Sequence, residues 1–213
     1  SDKALKSIIM ISKIDTFIKI IQKNGYSLLE LGFSEGASKE EIDNIEKITG
    51  QIIPDDLRQF LSKINGQFNE NFYFLPDQVK LLSCQEIIEE WTQEKDYADD
   101  TADFYNEFQF EDKVRCTIYH QTRIPIAMQE GFGIFYIDYD PGPNGTTGQI
   151  IYLVNEYDFV VLADSFGEFI QKYIENMQNG ILKFENEKEG FPNKYRLKSD
   201  AVNMDGYAFL EIF

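Results

Sequence analysis

The chain contains little cysteine and little histidine, and each scarcity excludes a class of protein. Its two cysteines, Cys84 and Cys116, stand far apart among 213 residues. They form no disulfide framework, so we expect a reducing compartment and a cytoplasmic protein. His120 is the single histidine, which leaves no set of imidazoles for a metal cluster and no spare histidine for a serine-type catalytic triad.

Long apolar runs and clusters of basic residues are also missing. The apolar run at residues 8–11 is too short for the core of a signal peptide or for a membrane span. The net charge is −17, whereas contacts with phosphate groups need clustered Lys and Arg. We therefore expect binding to neither nucleic acid nor a membrane. The charge allows a basic protein partner, whose approach it would speed, although solubility alone would also explain it.

Apolar periodicity predicts helices and strands in mixed order. Helices are predicted over residues 3–23, 38–48, 54–64, 84–93 and 165–180, and strands over residues 71–75, 79–82, 114–119, 124–128, 134–138, 149–154, 159–162 and 207–213. The Ser-x-x-Glu spacing predicts capping boxes at the start of two helices, residues 38–41 and 165–168. In the 38–48 helix, Ile42, Ile45 and Ile48 are expected to face inward, and Asn65 and Gly66 are expected to end the next helix.

The segment between the 134–138 and 149–154 strands is rich in glycine and proline, which predicts a rigid turn joining two antiparallel neighbours. An EF-hand calcium loop would need Asp or Asn where Gly142 stands and a bidentate Glu where Gln149 stands. The glycine spacing also fails the phosphate-loop pattern. We expect no metal site, and a structural loop whose Asp side chains bond to nearby backbone N–H groups. The residues of this structural loop are Asp138, Asp140, Pro141, Gly142, Pro143, Gly145 and Gly148.

Residues 85–112 differ from the rest in composition. They contain eleven acidic residues against one basic residue, Lys95. Aromatic residues are interspersed among the acids, so the segment is not a disordered acidic run. It predicts an acidic surface over an aromatic underside.

Other candidate chemical sites are weak. Cys116 and His120 are predicted to share a strand, where four positions separate them by about 13 Å, too far for a thiol and its base. Trp91 is expected to be a core aromatic residue. Acidic residues are too abundant for their spacing to identify a glycosidase pair. We expect no enzyme and no cofactor.

A series of short motifs resembles the SUKH superfamily, the domain of the yeast cell-wall-assembly (Knr/Smi-type) regulator. The similarity extends over about residues 31–178, and each motif is weak alone but occurs in the same order as in the family. The motifs are GASKEEI at 36–42, IPDDL at 53–57, ING at 64–66, LLS at 81–83, IPIA at 124–127, GFG at 131–133, IDYDPGP at 137–143, GQI at 148–150 and ADSFGEF at 163–169.

This resemblance implies an α+β fold, with a mainly antiparallel central sheet and helices packed against it. We expect one domain over residues 1–213, in which an N-terminal helix (1–25), an acidic insertion (92–122) and a C-terminal extension (181–213) depart from the family pattern. The resemblance also implies a binding role without catalytic residues. Bacterial members of the family are mostly immunity proteins that bind a cognate polymorphic toxin, often a nuclease, and fungal members resemble scaffolds in cell-wall signalling.

Our leading hypothesis is an immunity protein that docks on a basic nuclease toxin through the acidic segment. A regulatory adaptor without a toxin partner is the alternative, and an enzyme or small-ligand binder with a cleft beside the 138–149 loop is a third class. The oligomeric state stays open. The predicted partner-binding residues are Glu90, Glu94, Asp96, Tyr97, Asp99, Asp100, Asp103 and Tyr105.

Overall fold

The structure, a computed structural model, describes residues 2–68, 72–76, 78–97, 104–129, 131, 133–154, 158–186, 195–199 and 213. These residues confirm the α+β fold and its N-terminal helix. The helices are α1 (Asp2–Lys23), α2 (Lys39–Thr49), α3 (Asp55–Leu61), α4 (Cys84–Lys95) and α5 (Phe166–Gln178). The strands are β1 (Phe33–Glu35), β2 (Ile64–Gln67), β3 (Val79–Leu81), β4 (Phe108–Gln109), β5 (Val114–Arg115), β6 (Arg123–Gln129), β7 (Gly133–Asp138), β8 (Gln149–Val154), β9 (Asp158–Ala163), β10 (Leu182–Asn186) and β11 (Tyr195–Ser199).

Five antiparallel strands form the central sheet, in the order β3-β6-β7-β8-β9. The predicted hairpin is confirmed as its centre, because β7 is the middle strand and pairs with β8 from Gly133 opposite Val154 to Asp138 opposite Gln149. Smaller antiparallel pairs join β1 to β2, β4 to β5 and β10 to β11.

Both faces of the central hairpin are buried, and alternation along each strand divides its side chains between two cores. Phe135, Ile137 and Tyr152 belong to the main core, which includes the buried faces of the helices. Tyr136 and Ile151 belong to a second, smaller core on the opposite face. Helices therefore cover one face of the sheet, and another part of the chain must cover the other face.

Helix α1 is part of the main core. Phe17 packs its ring at 5.7 Å from both Phe33 and Tyr173. The Asp56 carboxylate accepts a 2.6 Å hydrogen bond from the Gly167 N–H at the start of α5, and Lys13 Nζ donates to the Gly167 carbonyl at 2.9 Å. One glycine thus joins α1, α3 and α5.

Helix α2 ends differently from its prediction. Ile48 is 44 % exposed, whereas the neighbouring Thr49 is buried and its hydroxyl donates to the Ile45 carbonyl. The inward assignment of Ile48 is therefore wrong, and Ile42 and Ile45 are buried as predicted.

Helix α3 is shorter than predicted, because it ends at Leu61. Asn65 and Gly66 lie in β2 and do not end the helix. Gly66 has a φ of 70°, and an added Cβ would lie 2.4 Å from the Ser83 backbone nitrogen. Its lack of a side chain thus permits the close approach of β2 to the start of α4.

Within the described part of the chain, capping boxes occur at two helices, one of them predicted. Ser38 and Glu41 cap α2 reciprocally as expected, and Ser83 and Glu86 do the same for α4. At α5 the prediction is only half correct. The Ser165 hydroxyl accepts from the Glu168 N–H, but the Glu168 carboxylate accepts from the Asp164 N–H, one residue earlier than a capping box requires.

Three strand predictions need correction or lie outside the described residues. The described part of the 71–75 strand, residues 72–75, forms only an isolated bridge between Leu75 and Val79. The 114–119 strand is reduced to the two residues of β5. The 207–213 strand falls outside the described residues except for Phe213. None of the helices formed by the described residues combines the length and hydrophobicity that crossing a bilayer requires.

Candidate functional site

The residues predicted to dock a partner do not all lie on one exposed surface. Asp96 and Tyr97 follow the end of α4 and are exposed. Asp99, Asp100 and Asp103 lie outside the described residues.

Glu94 is buried, with 7 % of its surface exposed, so its assignment to the exposed docking surface is wrong. Its Oε1 accepts a 2.5 Å hydrogen bond from the hydroxyl of Tyr136, a residue of the second core. Burial raises the pKa of Glu94 from 4.5 to about 8. The sequence held a signal for this position, because Ile87, Trp91 and Glu94 follow the i, i+4, i+7 spacing of one helix face.

Glu90 and Tyr105 are half-buried. Burial raises the pKa of Glu90. The Tyr105 hydroxyl donates to Asp140 Oδ2 at 2.6 Å, and this bond raises the pKa of Tyr105. Tyr105 therefore links the acidic insertion to the 138–149 loop as well as presenting part of its ring.

The 138–149 loop is built around Asp138, whose side chain is fully buried. Its Oδ1 accepts from the Asp140 N–H at 3.3 Å, as predicted for a rigid turn. Its Oδ2 accepts from Gln149 Nε2 at 3.1 Å, and its carbonyl accepts from the Gly148 N–H at 2.7 Å. The loop is thus closed by bonds across its two ends.

Arg123 is a buried charge that the sequence analysis missed. It is 2 % exposed, and its Nε lies 3.7 Å from Asp138 Oδ1. Its guanidinium donates to the carbonyls of Arg115, Thr117 and Ile118 and lies 4.4 Å from the centre of the Phe159 ring. A buried arginine can be recognised only after folding has brought these carbonyls around it.

The acidic insertion covers the second face of the sheet. Val114 is fully buried in the second core, and Ile118 packs against it. The insertion is therefore structural as well as acidic, which its composition alone did not indicate.

The turn between β4 and β5, residues 110–113, is supported by the 138–149 loop. The Glu111 carbonyl accepts from Asn144 Nδ2 at 3.1 Å, and the Asp112 carbonyl accepts from the Asn144 N–H at 3.1 Å. The Lys113 carbonyl accepts from the Gly142 N–H at 2.9 Å. An added Cβ at Gly142 would lie 2.2 Å from the Asp112 oxygen. Gly142, a predicted residue of the structural loop, and Asn144, which was not predicted, therefore support the backbone of this turn, and we call this support the backbone seat.

The 110–113 turn holds three consecutive non-glycine residues in the left-handed region. Phe110, Glu111 and Asp112 have φ values of 51°, 58° and 62°. Each such residue costs on the order of 1 kcal/mol, so the surrounding bonds must fix the conformation. All three side chains are exposed.

Three aromatic residues of the acidic segment are exposed, contrary to the predicted aromatic underside. Tyr97, Phe104 and Phe110 are 51 %, 48 % and 41 % exposed. Ring contacts link Tyr97 to Tyr119 at 5.8 Å. We use the name aromatic strip for Tyr97, Phe104, Tyr105, Phe108, Phe110, Tyr119 and His120. Exposed acids that accompany it, Asp96, Glu107, Glu111 and Asp112, are called the acidic rim.

The surroundings of Cys116 and His120 are not those of an activated nucleophile and its base. Both lie in irregular structure after β5 and not on a common strand as predicted. His120 Nδ1 is 2.6 Å from the Thr122 hydroxyl, and burial lowers the pKa of His120. Burial raises the pKa of the Cys116 thiol, the opposite of what an activated thiolate needs.

Trp91 is buried as predicted, and its indole N–H donates to the Gln121 carbonyl at 3.1 Å. Within the described ranges, no group of three His, Cys, Asp or Glu side chains could hold a metal ion. A groove of about 380 Å³ lies between α1 and α5, lined in part by Ile9, Lys13, Gln171 and Ile174. It lies at a different place from the cleft considered beside the 138–149 loop.

Comparison with known families agrees with the order of motifs along the chain. A sequence profile of the SMI1 / KNR4 family (SUKH-1) matches residues 36–172. Helix α1 and the C-terminal strands β10 and β11 lie outside the match, whereas the acidic insertion lies within it. A comparison with curated proteins finds no match. Because the profile spans well over half of its length, this chain belongs to the SMI1 / KNR4 family (SUKH-1).

Proposed function

We propose that this protein is a binding protein, an immunity protein that neutralises a cognate nuclease-type polymorphic toxin by docking on it directly. Membership of the SUKH family is the observation on which the proposal depends, because bacterial members are mostly immunity proteins. In this proposal the protein acts in the cytoplasm of the toxin-producing cell or its neighbour. It is not an enzyme and needs no cofactor.

Charge supports docking through the acidic insertion. The chain has a net charge of −17, and residues 85–112 contribute more than half of it. Nuclease toxins need basic grooves to bind phosphate groups, and an acidic surface can cover such a groove and accelerate encounter. Glu94 was predicted to contact the partner, but it is buried. In this proposal the exposed acids of the rim make that contact instead.

The first experiment uses the gene beside this one. We expect it to encode a long secreted protein with a C-terminal toxin domain, and we expect that domain to co-purify with this protein at a fixed ratio. Co-expression should also restore growth of cells that produce the toxin domain. Absence of such a gene, or of binding to its product, would contradict the proposal and favour the regulatory-adaptor alternative.

The second experiment tests the acidic surface itself through a triple charge reversal in the rim. We expect association with the toxin domain to slow by about tenfold at low salt, with folding unchanged, because steering depends on the local field. The matched control reverses three exposed acids elsewhere, so both variants have the same net charge. The rim variant carries Asp96→Lys, Glu107→Lys and Glu111→Lys, and the control carries Asp15→Lys, Glu35→Lys and Glu40→Lys. Equal association rates for the two variants would contradict docking through the rim.

A further inference from the structure

Several rings of the aromatic strip are exposed to solvent. Three of its rings, Tyr97, Phe104 and Phe110, are between 41 % and 51 % exposed. Tyr97 contacts Tyr119, and Tyr105 contacts His120 at 5.4 Å, so two ring pairs join the acidic segment to residues 119–120. Exposed aromatic residues are enriched at protein interfaces, where they serve as anchors.

The same part of the chain already accommodates cations on ring faces. The Arg115 guanidinium lies 4.4 Å from the centre of the Tyr105 ring and 5.3 Å from that of Phe108. Its Nε lies 3.2 Å from Asp140 Oδ2, so rings and a carboxylate hold one guanidinium together. Lys113 lies 5.8 Å from the ring centre of Phe110. These contacts are internal examples of the chemistry that the exposed rings and rim can offer to a second molecule.

The strip is also held in place. The 138–149 loop binds the backbone of the 110–113 turn, and Tyr105 donates to Asp140 in the same loop. A surface that is ordered before binding loses less entropy on association. The turn therefore presents Phe110, Glu111 and Asp112 in a fixed arrangement.

We propose that the aromatic strip and its acidic rim form a docking surface for arginine and lysine side chains of a basic protein partner. Partner cations stack on the half-exposed rings of Tyr97, Phe104 and Phe110 while the rim carboxylates pair with their charge. This inference deepens the proposed function by naming ring stacking, in addition to charge, as a way in which the partner is recognised. The part that concerns the toxin rests on the proposed function.

Charge complementarity favours this occupant over two others. A second copy of the chain would bring its own net charge of −17 against the rim, which opposes self-association through this surface. Nucleic acid would bring phosphates to the same carboxylates. A basic protein surface is the occupant that both the rings and the acids attract.

A chemical probe tests the surface without any knowledge of the partner. Hexa-arginine peptide is titrated into the full chain at low salt by calorimetry. We expect binding, and we expect the variant Tyr97→Ala/Phe104→Ala to weaken it about tenfold through the loss of two ring contacts. Tyr97→Phe, which keeps the ring, should retain the wild-type affinity. The matched control is Phe68→Ala, which removes a ring that is 55 % exposed at the end of β2.

Three results would overturn the proposal. They are no binding of hexa-arginine to the wild-type chain, equal affinity of wild type and the double alanine variant, and an equal loss in the Phe68→Ala control. The second result would show that charge alone attracts the peptide. Hexa-lysine should bind more weakly than hexa-arginine, because a guanidinium stacks on rings better than an ammonium group.

Binding measurements with the toxin domain separate this proposal from the proposed function. The same variants are measured against the toxin domain encoded beside this gene. If the wild type does not bind that domain, the proposed function fails, while the hexa-arginine result still decides the chemistry of the strip. If the wild type binds it and the double alanine variant binds equally well, the strip is overturned as a docking surface and the proposed function stands.

Discussion

Replacing the buried Glu94 by glutamine should stabilise the protein at alkaline pH. Burial raises the pKa of Glu94 from 4.5 to about 8, so the folded chain holds a proton that the unfolded chain has already released between these values. Stability must therefore fall as the pH rises through this window. Glutamine cannot ionise, and its side-chain oxygen can still accept the hydrogen bond of Tyr136.

The size of the effect follows from the two pKa values. Each pH unit between 4.5 and about 8 removes about 1.4 kcal/mol from the free energy of unfolding. Glu94→Gln should then be about 1 kcal/mol more stable than the wild type at pH 5 and about 4 kcal/mol more stable at pH 8. The Tyr136 hydrogen bond and Arg123 lower the pKa of Glu94 against burial, whereas coulombic repulsion from Glu90 raises it further.

Urea unfolding at the two pH values measures this difference. Trp91 is the single tryptophan and is 6 % exposed in the same helix, so its fluorescence reports unfolding. Glu89→Gln is the control, because Glu89 is exposed on α4 and its replacement removes the same charge. We expect that control to stay within about 0.5 kcal/mol of the wild type.

One outcome would refute the reasoning. If Glu94→Gln changes stability equally at pH 5 and pH 8, or lowers it at pH 8, Glu94 is ionised in the folded chain and is stabilised by Arg123. The assignment of Glu94 as a neutral, buried acceptor of the Tyr136 hydrogen bond would then be wrong.

Two further predictions concern packing. Gly142→Ala places a Cβ 2.2 Å from the Asp112 oxygen. It should lower the free energy of unfolding by about 2 kcal/mol, as measured with urea, and speed amide exchange at residue 142. Unchanged exchange would contradict the backbone seat. Tyr173→Phe should raise stability by about 1 kcal/mol, because the buried Tyr173 hydroxyl has no hydrogen-bond partner within the described structure. A loss of stability in that variant would instead reveal a partner for this hydroxyl.

The sequence predicted the elements whose residues repeat with a clear period. Helix α5 has its apolar residues on one face as expected, and β7 and β8 pair as predicted across the 138–149 loop. Local chemistry was enough here, because periodicity and turn residues act within one segment.

The sequence did not predict features that depend on distant contacts. Strand β2 contains Asn65 and Gly66, which favour a turn, yet it pairs with β1. Arg123 is buried because carbonyls of the 115–118 segment surround it. Glu94 is buried because Tyr136 lies above α4. The single charged residue Arg123 gives no sign of such neighbours in the sequence, whereas the spacing of Glu94 from Ile87 and Trp91 does place it on the buried face of α4.

The composition of the candidate site could be described from the sequence, but its geometry could not. The acidic composition of the segment follows directly from the sequence, yet Tyr97, Phe104 and Phe110 within it are exposed where an aromatic underside was expected. Whether a ring in this segment is exposed or buried depends on the path of the chain between α4 and β6, which local sequence patterns do not give.

The seat formed by the 138–149 loop has a consequence for how recognition can diversify. Its bonds to the 110–113 turn reach main-chain oxygens of Glu111, Asp112 and Lys113, and none of these bonds uses their side chains. The identities of those side chains can therefore change while the anchorage stays the same. A library at positions 111 and 112 that omits proline and β-branched residues, which the left-handed backbone there disfavours, should fold and differ in the partners it selects, as in antibody loops carried by a constant framework.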